Sequence, residues 1–140
     1  MGKARPRTSQ EEVIRAYERY EFHHIFHKVH NFCVVEMGGF YLDVLKDRLY
    51  TTGTDGLPRR SAQTAMYHIA EAMVRWLAPI LTFTAEEIWQ SHELFKKQSA
   101  SIFMAPQKIV SERESSISDE DWKKIFAVKD AVNQSIEKAR

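Results

Sequence analysis

Ala62, Ala65, Met66, Ile69, Ala72, Met73, Trp76, Leu77 and Ile80 fall within about 140° of one another when the chain is wound at 100° per residue. Only a long amphipathic helix buries such a stripe on one side, so the chain must supply other helices to cover it. Glu71 and Arg75 form an i,i+4 pair on the opposite side. Pro79 cannot donate a backbone N–H, so the helix is expected to kink or end beside it. Upstream, Thr51-Thr52-Gly53-Thr54-Asp55-Gly56 is turn chemistry, with Asp55 expected as N-cap and Pro58 tolerated in the first turn. No run alternates apolar and polar residues over strand length. The expected fold is all-α, a helical bundle of about five helices.

The remaining helices follow from the same signals. Ser9 with Glu12 reads as a capping box, which leaves residues 1–8 irregular, and Val13, Tyr17 and Tyr20 mark the buried stripe of the first helix. From Phe22 onward Ile25, Phe26, Val29, Phe32 and Cys33 share an arc of about 120° at 100° per residue. Gly38-Gly39 then interrupt a pattern that resumes at Tyr41, Leu42, Leu45 and Leu49, and a kink or break is expected there. Thr84 and Glu87 form a second box, with Phe83 and Ile88 as its staple, ahead of a short helix through Trp89. Residues 93–117 lose periodicity except at Ile102-Phe103-Met104 and read as an extended strap. Ser118 with Asp121 opens a last helix over 118–140, carrying Trp122, Ile125, Phe126, Val132 and Ile136. One domain over 1–140 is expected, its core formed by Ala62, Met66, Ile69, Met73, Trp76 and Leu77 of the stripe against Ile25, Phe26, Val29, Phe32, Phe83 and Trp89.

Composition fits this reading. At 140 residues and 44% hydrophobic, the chain can bury about 68–70% of its unfolded surface without staples. The lone Cys33 can form no internal disulfide, and no stretch approaches the roughly 18 apolar residues of a membrane span. A cytoplasmic chain with no membrane role is expected. Twenty Lys+Arg against nineteen Asp+Glu leave a net charge of +1, so any nucleic-acid contact must rest on local clustering.

The chemistry-bearing residues narrow the options. His23, His27 and His30 project within about 60° of each other on a helix. They sit away from the apolar face without a fourth ligand, and no metal site is expected. Phosphate loops, nucleophile elbows and paired-cysteine motifs are missing from the text, Cys33 lies on an apolar face, and Glu86-Glu87 and Asp119-Glu120-Asp121 open helices, where negative charge complements the dipole. No catalytic residue and no cofactor-binding residue is expected in these 140 residues. Lys46 and Arg48 close one helix while Arg59 and Arg60 open the next. The short turn between brings these four candidate RNA-binding cations together beside Tyr50, a possible stacking surface, with Asp43, Asp47 and Asp55 interleaved as potential neutralisers.

The run Phe32-Cys33-Val34-Val35-Glu36-Met37, then Phe40-Tyr41-Leu42-Asp43-Val44-Leu45-Lys46-Asp47-Arg48-Leu49-Tyr50-Thr51, resembles the anticodon-binding helical domain of the isoleucyl-tRNA synthetase family. So do Arg59-Arg60-Ser61-Ala62-Gln63-Thr64-Ala65 and Ala78-Pro79-Ile80-Leu81-Thr82-Phe83-Thr84-Ala85-Glu86-Glu87-Ile88-Trp89. The final helix is similar to the one that follows the family's bundle. HIGH-type and KMSKS-type sequences, an editing domain and a zinc-binding cysteine set are missing from this text, so the resemblance implies one module of a longer enzyme.

That enzyme would join isoleucine to its tRNA through an adenylate, using ATP and Mg²⁺, with zinc bound elsewhere in the chain. The module would receive the anticodon arm of the isoleucine-specific tRNA and pack against the catalytic and C-terminal domains. Two alternatives stand beside it: the same domain of valyl-tRNA synthetase, and a structural bundle that orients the catalytic body with little RNA contact of its own.

Overall fold

The computed structural model describes residues 6–105 and 117–139, and all regular elements among them are helical. They are α1 (Pro6–Glu18), α2 (Phe22–Asn31), a π-helical segment (Phe32–Tyr41), α3 (Leu42–Tyr50), α4 (Leu57–Leu77), α5 (Thr82–Ser91), α6 (Glu93–Lys96), a 3₁₀ turn (Ile102–Met104) and α7 (Asp119–Ala139). The all-α class is as expected. By compactness the chain divides into two units, Met1–Val110 and Ser111–Arg140. Periodicity identifies α7 as a helix but says nothing of what it packs on. Its N-terminus is the box foreseen: Ser118 Oγ donates to Asp121 Oδ2 at 2.7 Å, and Asp121 N–H donates back to Ser118 Oγ at 3.1 Å.

Several expected boundaries move. Pro6–Thr8 already belong to α1, inside the stretch expected to be irregular, and proline is tolerated in a first helical turn; the rest of that stretch, 1–5, lies outside the described residues. Ser9 therefore lies within the helix and cannot cap it. α1 ends with Tyr20 in the left-handed region, φ 58°, while Glu21 N–H reaches the Ala16 carbonyl at 2.8 Å, a Schellman-type closure. This cap turns Tyr20 outward, so it is exposed and not part of the buried stripe. α4 is capped by Gly56, with Pro58 in its first turn, and not by Asp55. It ends at Leu77, two residues before Pro79, as expected. α5 begins at Thr82, so Thr84 is interior and no box forms.

Across Gly38-Gly39 the helix neither kinks apart nor stops; it changes winding. The expected break is replaced by ten π-helical residues, closed where Leu42 N–H donates to the Met37 carbonyl five residues back. The packing explains why. Ile25 and Val29 are 1% and 7% exposed, clustered with Val13 and Ala16 and covered by Met73, Trp76 and Leu77 of α4. Leu45, 2% exposed, lies on α3, which packs on α4 as well. At 100° per residue Leu45 would stand about 160° from both Ile25 and Val29. At the smaller turn of a π-helix, about 80° per residue, it returns to within about 40° of each. One continuous helical run thereby brings Ile25, Val29 and Leu45 to one face, the first two in the cluster with α1 and the last beside α4.

α4 is the shared spine. Met73, Trp76 and Leu77 serve the α1–α2 cluster, while Val74 and Ala78, a quarter-turn away, join Ala85, Trp89, Phe95 and Ile102 in a second cluster. The expected core is corrected at two aromatics: Phe26 is 61% exposed and Phe83 90% exposed. The phase of α5 is set by Ala85 and Trp89, one turn apart and both buried, which leaves Phe83 facing out. Over 93–105 the expected strap is corrected too, because Phe95 and Ile102 anchor it in the second cluster; residues 106–116 of it lie outside the described residues. Phe95 stacks on Trp89, centroids 5.1 Å apart, and Glu86 fastens the 3₁₀ turn by accepting from Ser101 Oγ at 2.9 Å and Ile102 N–H at 3.0 Å. The Glu71–Arg75 pair forms at 3.0 Å, but Glu71 is buried and Arg75 partly so, and the pair is not on a solvent side. Arg75 lies over the Trp89 ring and donates to Gln98 Oε1 at 3.0 Å, which ties the segment after α6 to α4.

Candidate nucleic-acid interface

The turn between α3 and α4 is built by backbone needs. Thr51 and Thr52 hydroxyls donate to the Asp47 and Arg48 carbonyls in the last turn of α3, where the Asp47 oxygen also accepts from the Thr51 N–H at 3.0 Å. Gly56 N–H donates to the Gly53 carbonyl at 2.9 Å. A Cβ on Gly56 would stand 3.0 Å from that same oxygen, so the turn has little room for a side chain there. Gly56 then enters α4 in an extended conformation, and the two helices pack side by side.

This places the four expected cations at neighbouring helix ends, Lys46 and Arg48 on α3, Arg59 and Arg60 on α4. Lys46 Nζ donates to Asp43 Oδ1 at 2.8 Å, and this hydrogen bond with its charge attraction raises the lysine pKa further above its ordinary value. Arg48 is exposed. Its charge draws the Tyr41 hydroxyl pKa down, against a larger upward push from burial. Arg59 is half-buried, and its Nε is shielded without a hydrogen-bond partner among the described residues. Arg60 is exposed, with its backbone held by Gly56 and Thr64. Of the three interleaved aspartates, Asp43 neutralises Lys46; neither Asp47 nor Asp55 forms an ion pair with these arginines among the described residues. Tyr50, 82% exposed, stands at the same end.

The histidine row is a different surface. His30 stacks on the exposed Phe26 at 5.8 Å, His27 meets the same ring edge-on at 5.5 Å, and His23 and His24 lie 4.2 Å apart. Among the described residues no three His, Cys, Asp or Glu side chains converge on a point that could hold a metal ion. Cys33 is half-buried, and burial pushes its thiol pKa up. Sequence reasoning passed over an open groove of about 480 Å³ between α1 and α2, lined by Arg15, Arg19, His24 and Lys28 among others. Lys28 pairs there with Glu12, and burial lowers its pKa. Arg15 in the last turn of α1 and Arg19 just beyond its end were the signal that could have found it.

The matches to known proteins cover nearly all of this. Residues 6–140 match the family model described as the anticodon-binding domain of tRNA ligase. The chain belongs to that family.

Isoleucine–tRNA ligase of Legionella pneumophila (strain Corby) is 51% identical over 131 residues, 94% of this chain and 14% of that protein. The isoleucine–tRNA ligase of Methylococcus capsulatus is 54% identical over 91% of the chain and 14% of its own length. That of Halorhodospira halophila reaches 73% identity over 86 residues, 61% of the chain and 9% of the relative. The anticodon-binding domain thus spans about a seventh of the longest-matching relatives. No solved structure matches it. Among its described residues, no helix is long and apolar enough to cross a membrane.

Proposed function

We propose that this anticodon-binding domain is the part of an isoleucine–tRNA ligase that receives the anticodon arm of the isoleucine-specific tRNA. The observation that carries the reading is the near-complete match to the family model together with about half identity to isoleucine–tRNA ligases over almost the whole chain. Those names favour the isoleucyl over the valyl alternative. Lys46, Arg48, Arg59 and Arg60 are the proposed phosphate contacts, with Tyr50 as a stacking surface for an unpaired base. Helix ends suit the task because they hold cations at fixed separation while a loop of RNA offers splayed bases.

The ligase would act in the cytoplasm, joining isoleucine to tRNA through an adenylate with ATP and Mg²⁺, and this domain would pack against its catalytic and C-terminal parts. The residues present do not fit those groups: no metal-ligand cluster forms among the described residues, and no glycine-rich loop cradles a phosphate. On this reading the chemistry is assigned to other parts of the ligase. The exposed Phe26 and Phe83 favour a second reading, a bundle that mainly orients the catalytic body.

Titrating transcribed isoleucine tRNA into the chain at two salt concentrations separates the two. RNA contact through the corner gives a log–log slope of about −0.7 to −0.9 per neutralised phosphate, and Arg59→Ala/Arg60→Ala flattens it by up to two such steps. An affinity and slope unchanged by the double substitution would leave only the orienting role.

A further inference from the structure

The run from Phe22 to Tyr50 carries two residues more than an α-helix needs to bring Ile25 and Leu45 to one face. Eighteen α-helical steps are about five whole turns, whereas the sequence separates the two residues by twenty positions. The ten residues Phe32–Tyr41 absorb the surplus by π-winding, far longer than the single π turn that usually suffices. None of them is fully buried, so the winding is imposed from the two ends, where Ile25, Val29 and Leu45 are fixed against other helices. At Gly38 an added Cβ would lie 3.2 Å from the Cys33 carbonyl oxygen, five residues back; at Gly39 the corresponding approach to the Val34 oxygen is an ordinary 3.6 Å.

We propose that Phe32–Tyr41 is a two-residue phase adapter, with Gly38 as its positioning residue, that turns the end of α3 bearing Lys46 and Arg48 toward the side where α4 presents Arg59 and Arg60. Without the adapter the same sequence wound as α-helix would swing Leu45 about 160° away from α4, and Lys46 and Arg48 with it. The consequence for RNA rests on the function proposed above; the adapter itself does not.

Deletions in the full chain test it. Removing Gly38 and Gly39 takes out the surplus, so the run can wind as α throughout with Leu45 still on α4. The melting midpoint should stay within about 4 °C, the span of about 1 kcal/mol for a domain of this size, and tRNA affinity within about twofold. Removing Met37, Gly38 and Gly39 takes one residue too many, turns Leu45 by about 100°, and should abolish cooperative melting or lower affinity at least tenfold. Single substitutions address Gly38: Gly39→Ala should raise the midpoint by the gain in helix propensity, a few degrees, and Gly38→Ala should not. A two-residue deletion as damaging as the three-residue one, or Gly38→Ala as stabilising as Gly39→Ala, overturns the proposal. Melting judges the adapter even if the wild-type chain binds no tRNA, an outcome that would count against the functional reading alone.

Discussion

The indole N–H of Trp89 donates to the carbonyl of Ser99 at 2.9 Å, which pins the segment after α6 to the least exposed side chain in the described chain. Phe95 stacks on one side of that indole and Arg75 stands 5.0 Å from the ring centre. The second cluster is therefore organised around one residue, with a polar tie at its rim.

Trp89→Ala should cost about 3–5 kcal/mol, the range for large aromatic truncations in cores. Trp76→Ala should cost less, because Trp76 is only half-buried between its cluster and solvent. Urea midpoints at constant m-value measure both. Trp76 proving the costlier of the two would show that the first cluster, not the second, dominates stability.

Why the sequence pointed to Trp76 and not to the Trp89 network is a matter of period. A stripe at 100° per residue finds helices, and it found α4 with its end near Pro79, the α5 helix and the Ser118 cap. It cannot see winding that departs from 100°, so the phase relation of Ile25 to Leu45 was hidden by ten π residues. It also misreads short segments whose order comes from a few long-range ties. Phe95 and Ile102 lie in a polar stretch with no repeat, and Glu86, which fastens the 3₁₀ turn, looks locally like ordinary negative charge at a helix start. The four cations were legible because helix ends and turn residues are local features. Their pairing state was not, since which of Asp43, Asp47 and Asp55 reaches a cation depends on side-chain direction.

Glu86 gives the fold an acid limit. Its carboxylate accepts from Gln90, Ser101 and the Ile102 N–H, and these bonds, the Gln90 one foremost, hold its pKa below the ordinary 4.5. A carboxyl depressed in the folded state contributes stability that is present above its unfolded pKa and is lost as pH falls through the folded one. Stability should therefore decline below about pH 4.5, and Glu86→Gln should flatten that decline while lowering stability at neutral pH. Identical acid limbs for the two proteins would remove Glu86 from the account.

Tyr17 ties α1 to the spine, its hydroxyl donating to the Trp76 carbonyl at 2.6 Å. Burial raises its pKa, which keeps the hydroxyl protonated and able to donate. Tyr17→Phe keeps the ring in the first cluster and removes the bond, so the expected loss is about 0.5–1.5 kcal/mol. The far-ultraviolet dichroism of the folded state should be unchanged, and a loss several times larger would mean that the ring itself had moved.

The last expectation concerns charge at the candidate interface, where Asp43 holds Lys46 at 2.8 Å. Both side chains are about two-thirds exposed, so the pair contributes little to folding. Its larger effect is on the field met by an approaching phosphate, which feels a neutral pair where a lone lysine would present a full positive charge. Asp43→Asn removes the negative charge without removing the side chain's reach. If Lys46 faces the anticodon arm, the substitution should raise tRNA affinity about two- to fivefold near 50 mM salt, with the gain shrinking toward 200 mM as the Debye length falls. Lys46→Ala should do the opposite and reduce the salt slope by about one phosphate step. Affinity indifferent to both changes would place the RNA on Arg48, Arg59 and Arg60 alone, because a cation within reach of a phosphate cannot be discharged or unmasked without altering the salt dependence of binding.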